Sequence, residues 1–350
     1  MEYYYITKED FVKFLAKLSR KYKCFIPEKI NQVDYHLIPF PAEEPLQIVF
    51  NEYRTVEPLK TYLYPAQEEV AEYFQDVDSS KETLPTCLVG VKSCDLFSLK
   101  IQDFVFLEGE ASDPKYLARR KKLFIISSDC TAFKEVCFCL ALEILPHPSE
   151  LFDINLSILN DGFIVEVGSQ LGKDTINEHN QYFRPANSGQ LAGRKMKREK
   201  LIEDIKKHIE KQHLAKKDIL QRAVKQGYNS NIWPEEMLTC VECGACNFIC
   251  CTCHCFLLSD NPSQNVSKRI RQWDSCQYAN FARVAGGANP LKLRRERLRN
   301  RFMKKFDFFP DVLGLYACTG CGRCIEACPA KIDIRRILKN LANEKSLPTY

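Results

Sequence analysis

Phe11, Phe14, Leu15 and Leu18 recur at the 3.6-residue period of a helix, behind Thr7 and Asp10, which have the spacing of an N-cap and a near-capping box. This pattern predicts a helix over residues 8–22. Uninterrupted apolar runs at residues 87–91 and 123–126 are short enough to read as buried strands, and the stretch between them, including residues 114–121, suits a helix. Residues 154–159 and 163–167 flank Asn160-Asp161-Gly162, and an Asp-Gly step tolerates positive φ, so this pair predicts a hairpin. From about 193 to 225 the composition shifts to Lys, Glu, Asp and Gln. There Leu201, Ile205, Ile209 and Leu214 line one face of an exposed helix. Helical pattern returns at residues 290–305 and 334–342.

These elements predict an α+β protein: a mixed α/β domain over residues 1–190, a charged helical connector over 191–231, and a helical, cysteine-rich domain over 232–350. With 350 residues and 45% apolar content, each domain is large enough to bury its own core. The net charge of +5 is mild and by itself points to neither nucleic acid nor an anionic membrane. The N-terminal residues lack the apolar core and cleavage site of a secretory signal. No stretch approaches the roughly 18 apolar residues needed to span a bilayer. The expectation is therefore a cytoplasmic protein without a membrane span. Eighteen cysteines in such a chain point to metal sites rather than disulfides.

Cys240, Cys243, Cys246 and Cys250 follow C-x-x-C-x-x-C-x-x-x-C, and Cys318, Cys321, Cys324 and Cys328 repeat it, with Pro329 next. Three thiolates two residues apart wrap one iron-sulfur cubane. The fourth points away and ligates the other cluster in two-cluster ferredoxins. Cys240, Cys243, Cys246 and Cys328 are thus assigned to one 4Fe-4S cluster, and Cys318, Cys321, Cys324 and Cys250 to a second. Gly244 and Gly322 let the backbone pass close to the cluster sulfides. A pair of zinc knuckles leaves the third evenly spaced cysteine of each motif without a reason. The long helical insertion between the motifs predicts an all-helical dicluster ferredoxin-like domain. The basic run at residues 292–301 is read as lying along it, offsetting cluster charge or docking a partner.

A third site is open on the spacing alone. Cys94 and Cys130 each follow a predicted strand, and Cys137-Phe138-Cys139 comes shortly after, so four thiolates can gather at one sheet edge. A cluster, a zinc ion and unligated core thiols all fit that pattern. Cys24 and Cys87 read as core. Cys251, Cys253, Cys255 and Cys276 either bind a metal, tune a cluster or pack, the last two being favoured.

Gly90-Val91-Lys92-Ser93-Cys94-Asp95-Leu96, Cys137-Phe138-Cys139, Thr252-Cys253-His254-Cys255, Arg271-Gln272-Trp273-Asp274-Ser275-Cys276, Ala285-Gly286-Gly287 and Cys321-Gly322-Arg323-Cys324 occur in that order. Together they resemble the iron-sulfur beta subunit of cytosolic NAD(P)-linked sulfhydrogenases, which has a relative among the chains of anaerobic sulfite reductase. The resemblance covers nearly the whole chain. It implies a non-catalytic subunit of a hetero-oligomer that carries electrons between an FAD- and NAD(P)-binding partner and a catalytic subunit of hydrogenase, sulfur reductase or sulfite reductase type. It also implies a third 4Fe-4S cluster on Cys94, Cys130, Cys137 and Cys139. One departure stands out: the family's proline after the fourth cysteine of the first motif is Cys251 here, a rival to Cys250 as ligand.

The sequence contains neither a Rossmann G-x-G-x-x-G nor a P-loop G-x-x-x-x-G-K-[ST], so FAD and NAD(P) are expected on a partner and not on this chain. A variant of the relay is a flavin-oxidoreductase partner feeding a heterodisulfide-reductase-like complex. The competing class is a zinc-dependent nucleic-acid-binding module using the basic runs.

Overall fold

The computed structural model describes residues 2–41, 50–72, 84–109, 111–262 and 267–344. The chain divides into two compact units. Residues 1–63, 79–135 and 144–207 make the first, and 64–78, 136–143 and 208–350 the second. The strands are β1 (Tyr3–Thr7), β2 (Lys23–Lys29), β3 (Tyr35–Pro39), β4 (Gln67–Glu72), β5 (Thr86–Val91), β6 (Leu123–Ser128), β7 (Ile154–Ile158), β8 (Gly162–Val167), β9 (Arg184–Pro185), β10 (Phe256–Asn261) and β11 (Lys268–Trp273). The longer helices are α1 (Lys8–Leu18), α2 (Ser93–Leu107), α3 (Pro114–Lys121), α4 (Gln170–Glu178), α5 (Ser188–Gln212), α6 (Lys217–Gln226), α7 (Arg294–Met303) and α8 (Ile334–Asn343). The protein is α+β.

The first unit is built on an eight-stranded sheet in the order β3-β2-β5-β6-β7-β8-β1-β9. Its centre, β2 through β7, is parallel, and antiparallel strands finish both edges. Every residue of β6 is buried, which is why its sequence runs apolar without alternation: a central parallel strand is covered on both faces. The crossover from β5 to β6 uses α2 and α3, since parallel neighbours need a long connection. α1 begins where its pattern requires, with Thr7 Oγ1 accepting from the Asp10 N–H at 3.1 Å. Its buried Phe11, Phe14, Leu15 and Leu18 pack into a core with Cys24, Cys87 and Phe163, each large side chain contributing about 1.5–3 kcal/mol. The helix stops at Leu18 rather than residue 22 because the chain from Lys23 is drawn into β2, with the Lys23 N–H bonded to Pro85 O.

The second unit departs from the expected all-helical form. Alongside α6, α7 and α8 it holds an antiparallel sheet in the order β10-β11-β4. Cross-strand charge pairs hold this sheet, with Arg271 bonded to Glu68 and Lys268 Nζ 2.8 Å from Glu69. Such strands carry little apolar alternation to betray them.

The 191–231 connector is likewise not one separate element. The start of α5 is tied into the first unit, where Arg194 pairs with Glu166 and Arg198 with Asp129. In the second unit, α6 buries Leu220 and Val224 and packs against α8. Among the described residues, no helix is long and apolar enough to cross a membrane.

Candidate metal centres

The two cysteine motifs fold alike. Between their second and third cysteines, Gly244 (φ 74°) and Gly322 (φ 72°) take the left-handed conformation, and each opens a short helix, Ala245–Phe248 and Arg323–Glu326. The turn bends Cys243 back toward Cys246 and Cys321 toward Cys324, an arrangement glycine adopts without strain. The glycines are also crowded by protein. A Cβ at Gly244 would meet the Ser275 Cβ and the Tyr278 ring at 3.0 Å, and one at Gly322 would meet Val136 O at 2.4 Å. Backbone N–H groups already point at sulfur: Glu242 N–H donates to Cys240 Sγ and Ile332 N–H to Cys328 Sγ, each at 3.4 Å.

Two cavities collect the motif cysteines crosswise. One is lined by Cys240, Cys243, Cys246 and Cys328, with Cys324 also on its wall. The other is lined by Cys318, Cys321, Cys324 and Cys250, with Cys251 beside them. Apolar side chains complete the lining, Leu298, Phe302 and Ile337 in the first cavity and Phe138 and Ile334 in the second. Among the described residues, no three His, Cys, Asp or Glu side chains converge on an ion-sized point. Thiols spread around a cavity suit a cubane, in which each thiolate takes a different iron, and suit a single tetrahedral ion poorly.

Between the motifs the loops are tied together. Thr252 Oγ1 donates to Ala317 O at 2.7 Å, and Cys251 Sγ lies 3.3 Å from Thr319 Oγ1. Two buried cations face the sulfurs. Arg301 lines both cavities; its Nε donates to Asn247 Oδ1 at 3.0 Å. Lys305 donates to Cys250 Sγ at 3.3 Å, to Thr252 Oγ1 at 2.8 Å and to Ala317 O at 2.8 Å. Burial opposes both charges, yet the surrounding thiols, Cys246 and Cys324 foremost for Arg301 and Cys250 for Lys305, hold both pKa values above their ordinary level.

The thiols respond in kind. Burial pushes Cys246 and Cys318 up to about 12 and raises Cys240 and Cys324, so a metal bound there would have to displace their protons. Cys250 goes the other way. Hydrogen bonds from Cys251 and Cys253, then the charges of Lys305 and Arg301, pull it well below its usual value, while Cys251 is raised. Sulfur donors, a cationic wall, an apolar lining and sulfur-directed N–H groups together fit a cubane cluster.

The basic run is divided: Lys292, Arg294 and Arg295 are exposed, and Arg297 and Arg301 turn into this same region. Arg297 is buried, with Nη2 3.0 Å from Glu242 and Nη1 donating to Leu291 O at 2.8 Å. Arg294 donates to Cys240 O at 2.7 Å.

The four remaining expected ligands divide between the units. Cys94 and Cys130, in the first, follow the carboxyl ends of the adjacent parallel strands β5 and β6, the edge at which ligands bind in such sheets. Beside them sits the buried Lys92, donating to Ser128 Oγ and Asp129 O at 2.8 Å each. Burial lowers its pKa, while Cys130, Asp129 and Cys94 counter that effect. Cys137 and Cys139, in the second unit, lie against the second motif, where Phe138 N–H donates to Gly320 O at 2.8 Å. Gly320 (φ 64°) has room for no Cβ, which would fall 2.6 Å from Cys139 Cα.

Residues that the spacing did not single out complete the centre: Asn247, Thr252 and Lys305. Asn247 is 1% exposed and bonds in several directions, from Nδ2 to Ser275 Oγ and Cys276 Sγ at 3.0 Å each and from Oδ1 to Arg301. Of these, only Lys305 carried a signal in the sequence, its four-residue step from Arg301, which puts both on one helical face. Cys276 is also approached by Gln277 Nε2 at 3.6 Å.

The sequence model of a family described as a 4Fe-4S dicluster domain matches residues 239–332. Sulfhydrogenase 2 subunit beta of Pyrococcus furiosus is 32% identical over 343 residues, spanning 97% of this chain and 98% of its own length.

Proposed function

The chain belongs to the sulfhydrogenase beta-subunit family, and on that premise we propose that it relays single electrons from a partner chain that binds FAD and NAD(P) to a catalytic subunit of hydrogenase, sulfur reductase or sulfite reductase type, or in the reverse direction. That it is an iron-sulfur electron-transfer subunit of an oxidoreductase complex follows from the family and from the dicluster domain together. The finer reading gives Cys240, Cys243, Cys246 and Cys328 to one cluster and Cys318, Cys321, Cys324 and Cys250 to the other. The observation carrying it is the pair of cavities, each walled by three cysteines of one motif and the last of the other.

When bound, each cluster carries one electron at a time. The chain's own residues supply the rest. Thiolates hold the cluster, and Glu242 and Ile332 N–H groups stabilise charge on sulfur. Arg301 and Lys305 favour the added negative charge of reduction, and Leu298, Phe302 and Ile337 keep water out. Cys250 is favoured over Cys251 because Lys305 faces its sulfur. Cys94, Cys130, Cys137 and Cys139 are the proposed ligands of a third cluster, a reading carried by their spacing and by the resemblance.

Anaerobic purification of the native complex tests this function. The expected result is co-purification with a flavin-containing NAD(P)-binding chain and a catalytic chain, with the cluster signals of this protein reduced by NAD(P)H. Isolation with heterodisulfide-reductase-like chains would redirect the relay, and clusters that no nicotinamide reduces in the complex would contradict it. Replacing Cys139 with Ser lowers iron by up to about four per chain if the third cluster exists and leaves it unchanged otherwise.

A further inference from the structure

We propose that Cys255 and Cys276 form a reversible dithiol–disulfide pair that exchanges two electrons with the iron-sulfur relay of the same chain, a proposal that rests on the relay reading above. Both are free thiols, and they hydrogen-bond to each other. Their backbones are held at the base of one hairpin: Phe256 pairs with Trp273, and Asp274 N–H donates to Cys255 O at 3.0 Å.

The two sulfurs have unequal surroundings, as an exchanging pair requires. Cys276 is 4% exposed and receives the Asn247 Nδ2–H bond at 3.0 Å and the Gln277 Nε2–H bond at 3.6 Å, both favouring its thiolate. Cys255 is partly exposed, which opens a path for a proton to solvent. The same Asn247 reaches toward the first motif, with Oδ1 3.9 Å from Cys246 Sγ and 3.0 Å from Arg301 Nε. The pair is thus one side chain away from a proposed cluster ligand. Among the described residues, Cys255 and Cys276 belong to no group of three side chains fit for a metal ion.

The chemistry balances. Formation of the Cys255–Cys276 S–S bond from one thiol and one thiolate releases one proton, from Cys255, and two electrons, which leave singly to the one-electron acceptors of the relay. Reduction runs the same steps backward. Such a pair stores electrons two at a time beside carriers that move them one at a time.

The holo-protein, poised anaerobically at a series of potentials with mediator dyes, is quenched in acid with an alkylating agent and mapped by mass spectrometry, with iron measured on the same samples. The expected result is a peptide cross-linked between Cys255 and Cys276 at oxidising potentials and two alkylated thiols at reducing ones. Reductive titration of Cys276→Ser and Cys255→Ser should consume two fewer electrons per chain than the unaltered protein, with unchanged iron. Alkylation of both cysteines at every potential, or a loss of iron in Cys276→Ser, would overturn the pair. Absence of iron in the unaltered protein would instead remove the relay on which the pair depends.

Discussion

Two pairs of cations, one in each unit, meet their surroundings in opposite ways. In the first, Arg194 and Arg198 each meet a carboxylate: Arg194 pairs with Glu166, and Arg198 Nε lies 2.7 Å from Asp129. In the second, Arg301 and Lys305 are more deeply buried, but their hydrogen-bond partners are an amide oxygen, carbonyls, a hydroxyl and a thiol, none of them a carboxylate. An uncompensated buried charge costs several kcal/mol. Glu166 and Asp129 offset that cost for Arg194 and Arg198, whereas Arg301 and Lys305 face cavities walled by cysteine. Thiolates bound to iron would supply the missing negative charge, so on the relay reading the packing around Arg301 and Lys305 depends on metal in a way that the Arg194 and Arg198 pairs do not.

The largest way to break that contrast is to remove a ligand. Cys318→Ser should cost about four irons per chain, read by iron analysis, and should make the second unit the first to open in hydrogen exchange while the sheet of the first keeps its protection. Next in size is the carboxylate pair. Arg198→Met strands Asp129 in a buried site and should destabilise the first unit by about 3–5 kcal/mol in denaturant unfolding, with iron content unaltered.

The pH dependence of the pair follows from the same contact. Burial opposes the Asp129 charge, but the Arg198 guanidinium holds the carboxyl below its usual range. Its stabilising effect is therefore complete above the ordinary aspartate pKa and lost as pH falls through the depressed folded value. That acid-side loss should diminish in Arg198→Met.

Smaller again, Lys305→Met should keep its iron yet lower the reduction potential of the adjacent cluster. The missing charge is worth roughly 1–3 kcal/mol at an effective dielectric of about 20, on the order of 50–100 mV. Lys305→Arg should restore most of the shift. An unchanged potential in Lys305→Met would show that the cation serves packing alone. The smallest expected effect is that of Gly244→Ala, about 1–2 kcal/mol in unfolding, from a left-handed φ and a Cβ pressed on Ser275 and Tyr278.

The cysteine spacing singled out the eight motif thiols that line the two cavities, because ligands of one cluster would lie close together in the chain and leave a local signature. The elements β5 and β6 and the hairpin of β7 and β8 were readable for a similar reason: burial on both faces leaves unbroken apolar runs, and Asp161-Gly162 marks the turn. Helix α3 falls on the expected residues, helped by the Asp113 side chain accepting from the Tyr116 N–H.

What escaped was long-range. Residues 64–78 and 136–143 join a unit otherwise made by the C-terminal half, and no periodicity announces that. β11, Lys268-Arg269-Ile270-Arg271-Gln272-Trp273, is bound to β4 by ion pairs to Glu68, Glu69 and Glu72. Its charge made it resemble exposed surface. Arg301 ends the basic run read as offsetting cluster charge or docking a partner, but that it and Lys305 are buried facing sulfur emerges only in the folded chain.

Iron and acid-labile sulfide, measured together on the anaerobically purified chain, test the metal centres most directly. About eight of each per chain are expected, or about twelve with the third cluster present, along with a brown colour that dithionite bleaches. A colourless protein holding zinc, or one without labile sulfide, would contradict the assignment.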